Sequence, residues 1–206
     1  MTTITDLVIA IMAFYYSREL TNRYINQLLN VQYQWIWAFR MLGLGAFLGA
    51  LSHGIGPYLS TPIANLIWKF TTYSIGLMSY FMIMSMLHHL FQYQFVIRIR
   101  WVFLSLLAIY LFVLTNNDAF VNVIRFYVPL MILALAGFVY SYLILKSDGV
   151  IMIIIGILIS FISSGVQQSG IILHKHMNYN DLAHIIHMAA LWCFYIGSII
   201  LKDEVI

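Results

Sequence analysis

Along the chain, runs of mostly apolar residues alternate with short polar breaks. The runs fall near residues 4–20, 35–58, 62–87, 96–115, 121–144, 149–173 and 181–201, and a helix crosses a bilayer in about 20 residues. The pattern predicts an all-α membrane protein, a seven-transmembrane helix bundle forming a single domain over residues 1–206. Arg18 and Glu19 shorten the apolar part of the first run, so a tilted or interfacial helix is the alternative reading there. The breaks, among them "TNRYINQLLNVQYQ", "TNND" and "KSDG", are too short to hold a second domain.

Composition sharpens this picture. The chain is 63% hydrophobic and 8% charged, with a mean hydropathy of +0.91, more apolar than a water-soluble core demands. Its ten Lys and Arg are scattered, with a net charge of +3. No basic stripe exists to serve as a nucleic-acid footprint, so no nucleic-acid partner is expected and the cations are topology signals. Cys193, alone among apolar residues, has no partner for a disulfide or a Cys-metal site and is expected as a small core residue. The opening "MTTITDLVIAIMAFYY" lacks the basic region and small-residue cleavage site of a secretory signal, and is expected to stay as the first helix.

Seven spans put Arg18, Arg23, Arg40, Arg98, Arg100, Lys146 and Lys202 on one side, and Lys69, Arg125 and Lys175 on the other. The positive-inside rule makes the first side cytoplasmic, with the N-terminus outside and the C-terminus inside. Trp35, Trp37 and Trp101 then stand at cytoplasmic helix starts, where an interfacial aromatic belt is expected. No internal duplication points to an inverted-repeat transporter.

This topology gathers the intramembrane polar residues at the outer end of the bundle. The second helix reaches His53 after about 27 Å at 1.5 Å per residue. The seventh begins outside with "NYNDLAHIIHM", carrying Asn178, Asn180, Asp181, His184 and His187, and the sixth ends there with Gln167 and Gln168. Asp6, Asn65 and Lys69 join them from the outer ends of the first and third helices. Ionisable groups inside spans usually face the bundle interior and mark a site. Gly45, Gly49 and His53 share one helical face, a small-residue stripe that admits a close neighbour, expected to be the seventh helix. A packing motif with a hydrogen-bonded core histidine is the plainer alternative.

Asp181, His184 and His187 are three residues apart and cover one face of the seventh helix. With His53 the pair supplies three nitrogen ligands, the number a catalytic zinc takes while keeping a position open for water. Asp181 is a candidate third ligand, a base for that water, an acceptor orienting a liganding imidazole, or an N-terminal helix cap. His88 and His89 lie at the cytoplasmic end of the third helix and are expected in the interface. His174 and His176 flank Lys175 in the outer loop, expected solvated unless one lends a ligand.

A histidine late in the second of seven helices and a histidine pair early in the seventh resemble the superfamily uniting alkaline ceramidases with the progestin and adipoQ receptors. The tract "HKHMNYNDLAHIIH" is also similar to one in bacterial seven-helix proteins, which implies a bacterial inner membrane. The resemblance implies a zinc site at His53, His184 and His187 and hydrolysis of a lipid amide. Three departures are plain in the sequence, the first being Gly49, with Ser52 beside His53, where the superfamily carries a Ser four residues before its second-helix histidine. The superfamily's histidine pair is spaced H-x-x-x-H, whereas His184 and His187 are separated by two residues. Its third helix supplies an Asp, where this chain offers Asn65 and Lys69.

The expected function is a zinc-dependent intramembrane hydrolase of a membrane lipid or lipid-like substrate bearing an amide or ester. Asp181 takes the proton, and Lys69 pairs with it or binds an anionic head group. A transporter or receptor-like protein using the same His and Asp groups as relays or ligand contacts is the second class. Haem held between His53 and a histidine of the seventh helix is the third. The topology is checked with reporters, one fused after Ile206 and one inserted beside Lys175. The first should be cytoplasmic and the second external, and both on one side would refute the alternation.

Overall fold

The computed structural model of the protein describes residues 1–24, 29–170 and 177–203. Among these are seven α-helices and no β-strand: α1 (Thr2–Tyr24), α2 (Asn30–Gly54), α3 (Thr61–Leu90), α4 (Tyr93–Asn116), α5 (Phe120–Tyr140), α6 (Val150–Ser169) and α7 (Tyr179–Ile200). Gly56–Tyr58 form a 3-10 turn between α2 and α3, and α5 continues as a π-helical turn over Ser141–Leu145. Six of the helices, α2 to α7, are long and apolar enough to cross a membrane, as a multi-pass membrane protein requires. The helix α1 is not among them, because Asp6, Arg18, Glu19 and Arg23 interrupt its 23 residues.

Lateral packing makes a closed ring in the order α1, α2, α3, α5, α6, α7 and back to α1, with α4 outside against α3. Burial follows that order. Of the apolar stretch of α3, 67% is buried, against 22% for α4. A row of methionines and leucines on α3, including Met78, Met82, Met86 and Leu87, fills the core. The least apolar helix still takes a full place in the ring, because α1 buries Asp6, Ile9, Ala10, Ala13, Tyr16, Ser17 and Leu20. Steps of three and four residues form one stripe of a helix, and this stripe meets α2 on one side and α7 on the other.

Close approach along α2 depends on its glycines. A Cβ at Gly45 would stand 3.3 Å from the Ser74 side chain on α3, and one at Gly49 would stand 3.4 Å from the Asp6 carboxylate on α1. The small-residue stripe therefore packs against α3 and α1. The expected partner, α7, touches α2 little, because α1 stands between them at this level. Two turns need backbone that only glycine adopts cheaply. Gly149 at φ +81° opens α6 where a Cβ would stand 2.7 Å from Ile200 Cβ, and Gly170 at φ +66° closes it. The described part of α6 thus ends at Ser169, short of the expected 173, and residues 171–176, with His174, Lys175 and His176, lie outside the described residues.

At the end opposite His53 the aromatic expectation is corrected for Trp35. Trp35 is 1% exposed and tilts against Phe39 and Phe194 in the core, whereas Trp101 is 61% exposed on the periphery. His88 and His89 are buried against neighbouring helices at this end. The Nδ1 of His89 lies 2.6 Å from the Lys202 carbonyl, and its Nε2 lies 2.7 Å from the Ser141 hydroxyl. Gln32 donates to the Leu201 carbonyl and Tyr24 to that of Ile199. Asp203 accepts from the Asn30 and Val31 backbone N–H groups at 3.1 and 2.9 Å. Side chains of α1, α2 and α3 thus occupy carbonyls at and just beyond the C-terminus of α7, which a helix otherwise leaves without partners. Cys193 is a free, buried thiol, as expected.

The contact between α3 and α4 gives a stability prediction. A Cβ at Gly76 would fall 2.2 Å from the Tyr110 ring, and that ring is 4% exposed with its hydroxyl donating to the Thr72 carbonyl at 2.7 Å, so it has nowhere to retreat. Gly76→Ala should cost about 1–3 kcal/mol from overpacking. Gly165→Ala, whose Cβ would meet nothing within 4 Å, is the control. Thermal unfolding in detergent should fall for the first and hold or rise for the second, and equal behaviour would show that α4 moves aside freely.

Candidate functional site

A cavity of about 210 Å³ lies inside the ring, lined by side chains from all six ring helices and from none of α4. The lining runs from Trp68 to Met78 on α3 and from His53 back to Leu42 on α2, about 15 Å along each helix at 1.5 Å per residue. Apolar side chains, Ile9, Leu42, Ile75 and Met78 among them, form the deep wall. The polar groups collect at the other end, where α2 and α6 finish and α3, α5 and α7 begin. There a more open vestibule shares His53, Trp68, Phe120, Gln167, Gln168 and His184 with the cavity and adds Gly170, Tyr179 and Asn180. His53 and His184 stand at the neck between the two spaces, and His187 lines the cavity one turn further along α7.

The three histidines proposed as ligands from the sequence therefore face one space. What joins two of them, His53 and His184, is a residue that the sequence placed in the same layer without a role. Asp6 on α1 enters beside Gly49, with Oδ1 3.5 Å from His184 Nδ1 and Oδ2 4.0 Å from His53 Nε2. Its side chain is 8% exposed, and Oδ2 is buried without a hydrogen-bond partner among the described residues. Thr5, one residue earlier, brings Oγ1 to 2.9 Å from His184 Nδ1. The signal was present as a lone carboxylate in the apolar run "TTITDLVIAIM", but nothing in that run says that α1 sits beside α7.

Asp181 has a different job. Its Oδ2 accepts from the Asn178 backbone N–H at 3.0 Å while the Asn178 side chain accepts from the Asp181 N–H at 3.0 Å, a reciprocal capping box that satisfies the first donors of α7. It is 1% exposed, its Oδ1 has no partner among the described residues, and it lines neither the cavity nor the vestibule. Asn178 also reaches α1, donating to Thr2 Oγ1 at 3.3 Å. Lys69 stands apart as well. Its ammonium donates to the Thr115 carbonyl at the end of α4 at 3.1 Å, on the exposed side of the bundle, and neither it nor Asn65 lines the site. The site wall between α6 and α7 is held by Ser163 donating to the Ala183 carbonyl at 2.7 Å and by Gln167 donating to Asn180 at 3.3 Å.

As a metal site, the donor chemistry fits in kind. Three imidazoles and a carboxylate with a buried, unpartnered oxygen converge on one cavity, and His₃ or His₂-carboxylate sets are those of catalytic zinc. Among the described residues no three His, Cys, Asp or Glu side chains already form a group around a common point.

The fold and site together define an all-α helix bundle, six of its helices able to cross a membrane, with a polar-necked cavity inside the ring. The chain belongs to the family of unknown function DUF6962, which it matches over residues 1–203. No curated protein and no solved structure matches it.

The capping box predicts matched losses. Asp181→Ala and Asn178→Ala each remove one half of it and should each lower stability by about 1 kcal/mol, as loss of a capping side chain does, measured by denaturant unfolding in detergent. A drop for Asn178→Ala with none for Asp181→Ala would show that the carboxylate serves something other than the helix start.

Proposed function

We propose that the protein is a seven-span intramembrane hydrolase, N-terminus outside and C-terminus cytoplasmic, in which zinc is held by His53, His184 and His187 to cleave a lipid amide or ester. The observation that carries this reading is the convergence of those three imidazoles and the Asp6 carboxylate on one cavity with an apolar depth. The wall from Leu42 to Met78 suits an alkyl chain, which leaves the head of a membrane lipid or lipid-like substrate at the neck. The part that α1 takes in the ring supports counting it as the seventh span.

Zinc bound at the neck supplies Lewis acidity toward a carbonyl and toward water. The chain's own residues supply the rest. Asp6 Oδ2 lies 4.0 Å from His53 Nε2 with no hydrogen-bond partner among the described residues, and in this reading it takes the proton from the attacking water. That assigns to Asp6 the role the sequence offered to Asp181, which closes the first turn of α7, while Lys69, offered as its partner or as a head-group contact, donates to the Thr115 carbonyl at the end of α4. Trp68 and Phe120 narrow the passage from vestibule to cavity, which limits water at the reacting bond. The separation of the donors, with no preassembled group of three among the described residues, favours as second reading a binding or proton-relaying protein that uses the same groups without metal.

Elemental analysis separates the two. Purified protein should carry about one zinc per chain, the number a single catalytic site takes, and His53→Ala and His184→Ala should lose it. His187→Ala is the discriminating variant, since retained zinc there would shift the third ligand to a carboxylate. A wild-type protein free of zinc after metal supplementation would sink the hydrolase and leave the metal-free reading.

A further inference from the structure

The contacts around His184 determine which of its nitrogens carries the proton. The Thr5 hydroxyl has one hydrogen. Its Oγ1 lies 2.9 Å from the Thr2 carbonyl, which can only accept, and 2.9 Å from His184 Nδ1. If the hydroxyl hydrogen goes to the Thr2 carbonyl, Oγ1 meets the imidazole with a lone pair, and His184 must donate from Nδ1. The Asp6 Oδ1, 3.5 Å from the same nitrogen, favours the same proton position, because a carboxylate oxygen without a hydrogen can only accept. Two side chains of α1 thus face Nδ1, Thr5 with its hydroxyl hydrogen directed to the Thr2 carbonyl and Asp6 with Oδ1.

We propose that Thr5 and Asp6 are positioning residues that hold His184 as the Nδ1–H tautomer and so present the Nε2 lone pair at the neck of the cavity. A histidine serves as a metal ligand or as a base only through an unprotonated nitrogen, and the partner of the other nitrogen sets which one that is. The pair also fixes the ring plane, since Thr5 and Asp6 are adjacent on one helix and touch the same edge of the imidazole. This explains why the least apolar helix is built into the ring beside α7. It also assigns Asp6 two tasks on two oxygens, Oδ1 toward His184 and Oδ2 toward the neck. The inference deepens the hydrolase reading by supplying the orientation of one of its ligands, yet it rests on contacts that hold with or without metal.

The test is made on metal-free, chelator-treated full-length protein in detergent. Two-bond proton–nitrogen correlation spectra of protein labelled with ¹⁵N-histidine show which ring nitrogen carries the proton. The His184 signal is assigned by its disappearance in His184→Gln. The wild type should show Nδ1–H over Nε2–H by at least about ten to one, the ratio that one or two net hydrogen bonds enforce. In Thr5→Val with Asp6→Ala, which together leave no side-chain acceptor facing Nδ1, that preference should collapse or invert, whereas Thr5→Ser should keep it. An Nε2–H pattern in the wild type overturns the proposal without need of any variant, and so does an unchanged tautomer in the double variant. Because the readout needs neither zinc nor turnover, a protein that shows the Nδ1–H tautomer but never binds zinc would refute the hydrolase and leave the positioning pair standing.

Discussion

A carboxylate inside an apolar bundle must be met by partners, and the arrangement of this protein turns on that requirement. Asp6 is almost fully buried, and an unpaired charge in such surroundings costs several kcal/mol. The imidazoles of His53 and His184 and the space left by Gly49 answer it. Those partners come from α2 and α7, so satisfying one side chain brings three helices together at one end of the ring. The polarity that keeps α1 below the apolarity of its neighbours is thus concentrated where it is compensated, while the rest of its stripe, from Ile9 to Leu20, packs as an ordinary amphipathic face.

The two ends of α7 show two ways of satisfying a helix terminus. Its start is closed locally, by Asn178 and Asp181 three residues apart. Its finish is closed from outside, with Tyr24, Gln32 and His89 reaching the carbonyls of Ile199, Leu201 and Lys202. The first arrangement leaves the face bearing His184 and His187 free for the cavity. The second ties the far end of the same helix to α1, α2 and α3, so the histidines ride on a rod fixed at both extremities.

What could be read from the sequence divides along the same line. Helix existence was legible because apolar runs interrupted by "TNND" or "KSDG" leave little choice, and so was the gathering of His53, His184, His187, Gln167 and Gln168 at one end, since consecutive spans alternate direction. The box at Asn178 and Asp181 was also within reach, an Asn followed three residues later by an acid at a helix start. Lateral order was not legible. Hydropathy says that a helix spans and nothing about who stands beside it, so Gly45 and Gly49 were given to the wrong neighbour. For the same reason Asp6 was seen as a member of a layer and not as the contact of two histidines. Trp35 misled because a tryptophan near a helix start has the same sequence appearance whether it faces headgroups or a core built from Phe39 and Phe194.

The closing seam of the ring joins the first helix to the last. Thr5 and His184 are 179 positions apart, and contacts of such separation form late because the intervening chain must be ordered first. During synthesis the neck of the cavity therefore has no means of existing until α7 has emerged, and until then the Asp6 carboxylate is without one of its two histidines. Assembly of the ring and completion of the polar neck are consequently one event, and every earlier stage of the growing chain is a bundle that has not yet acquired its chemistry.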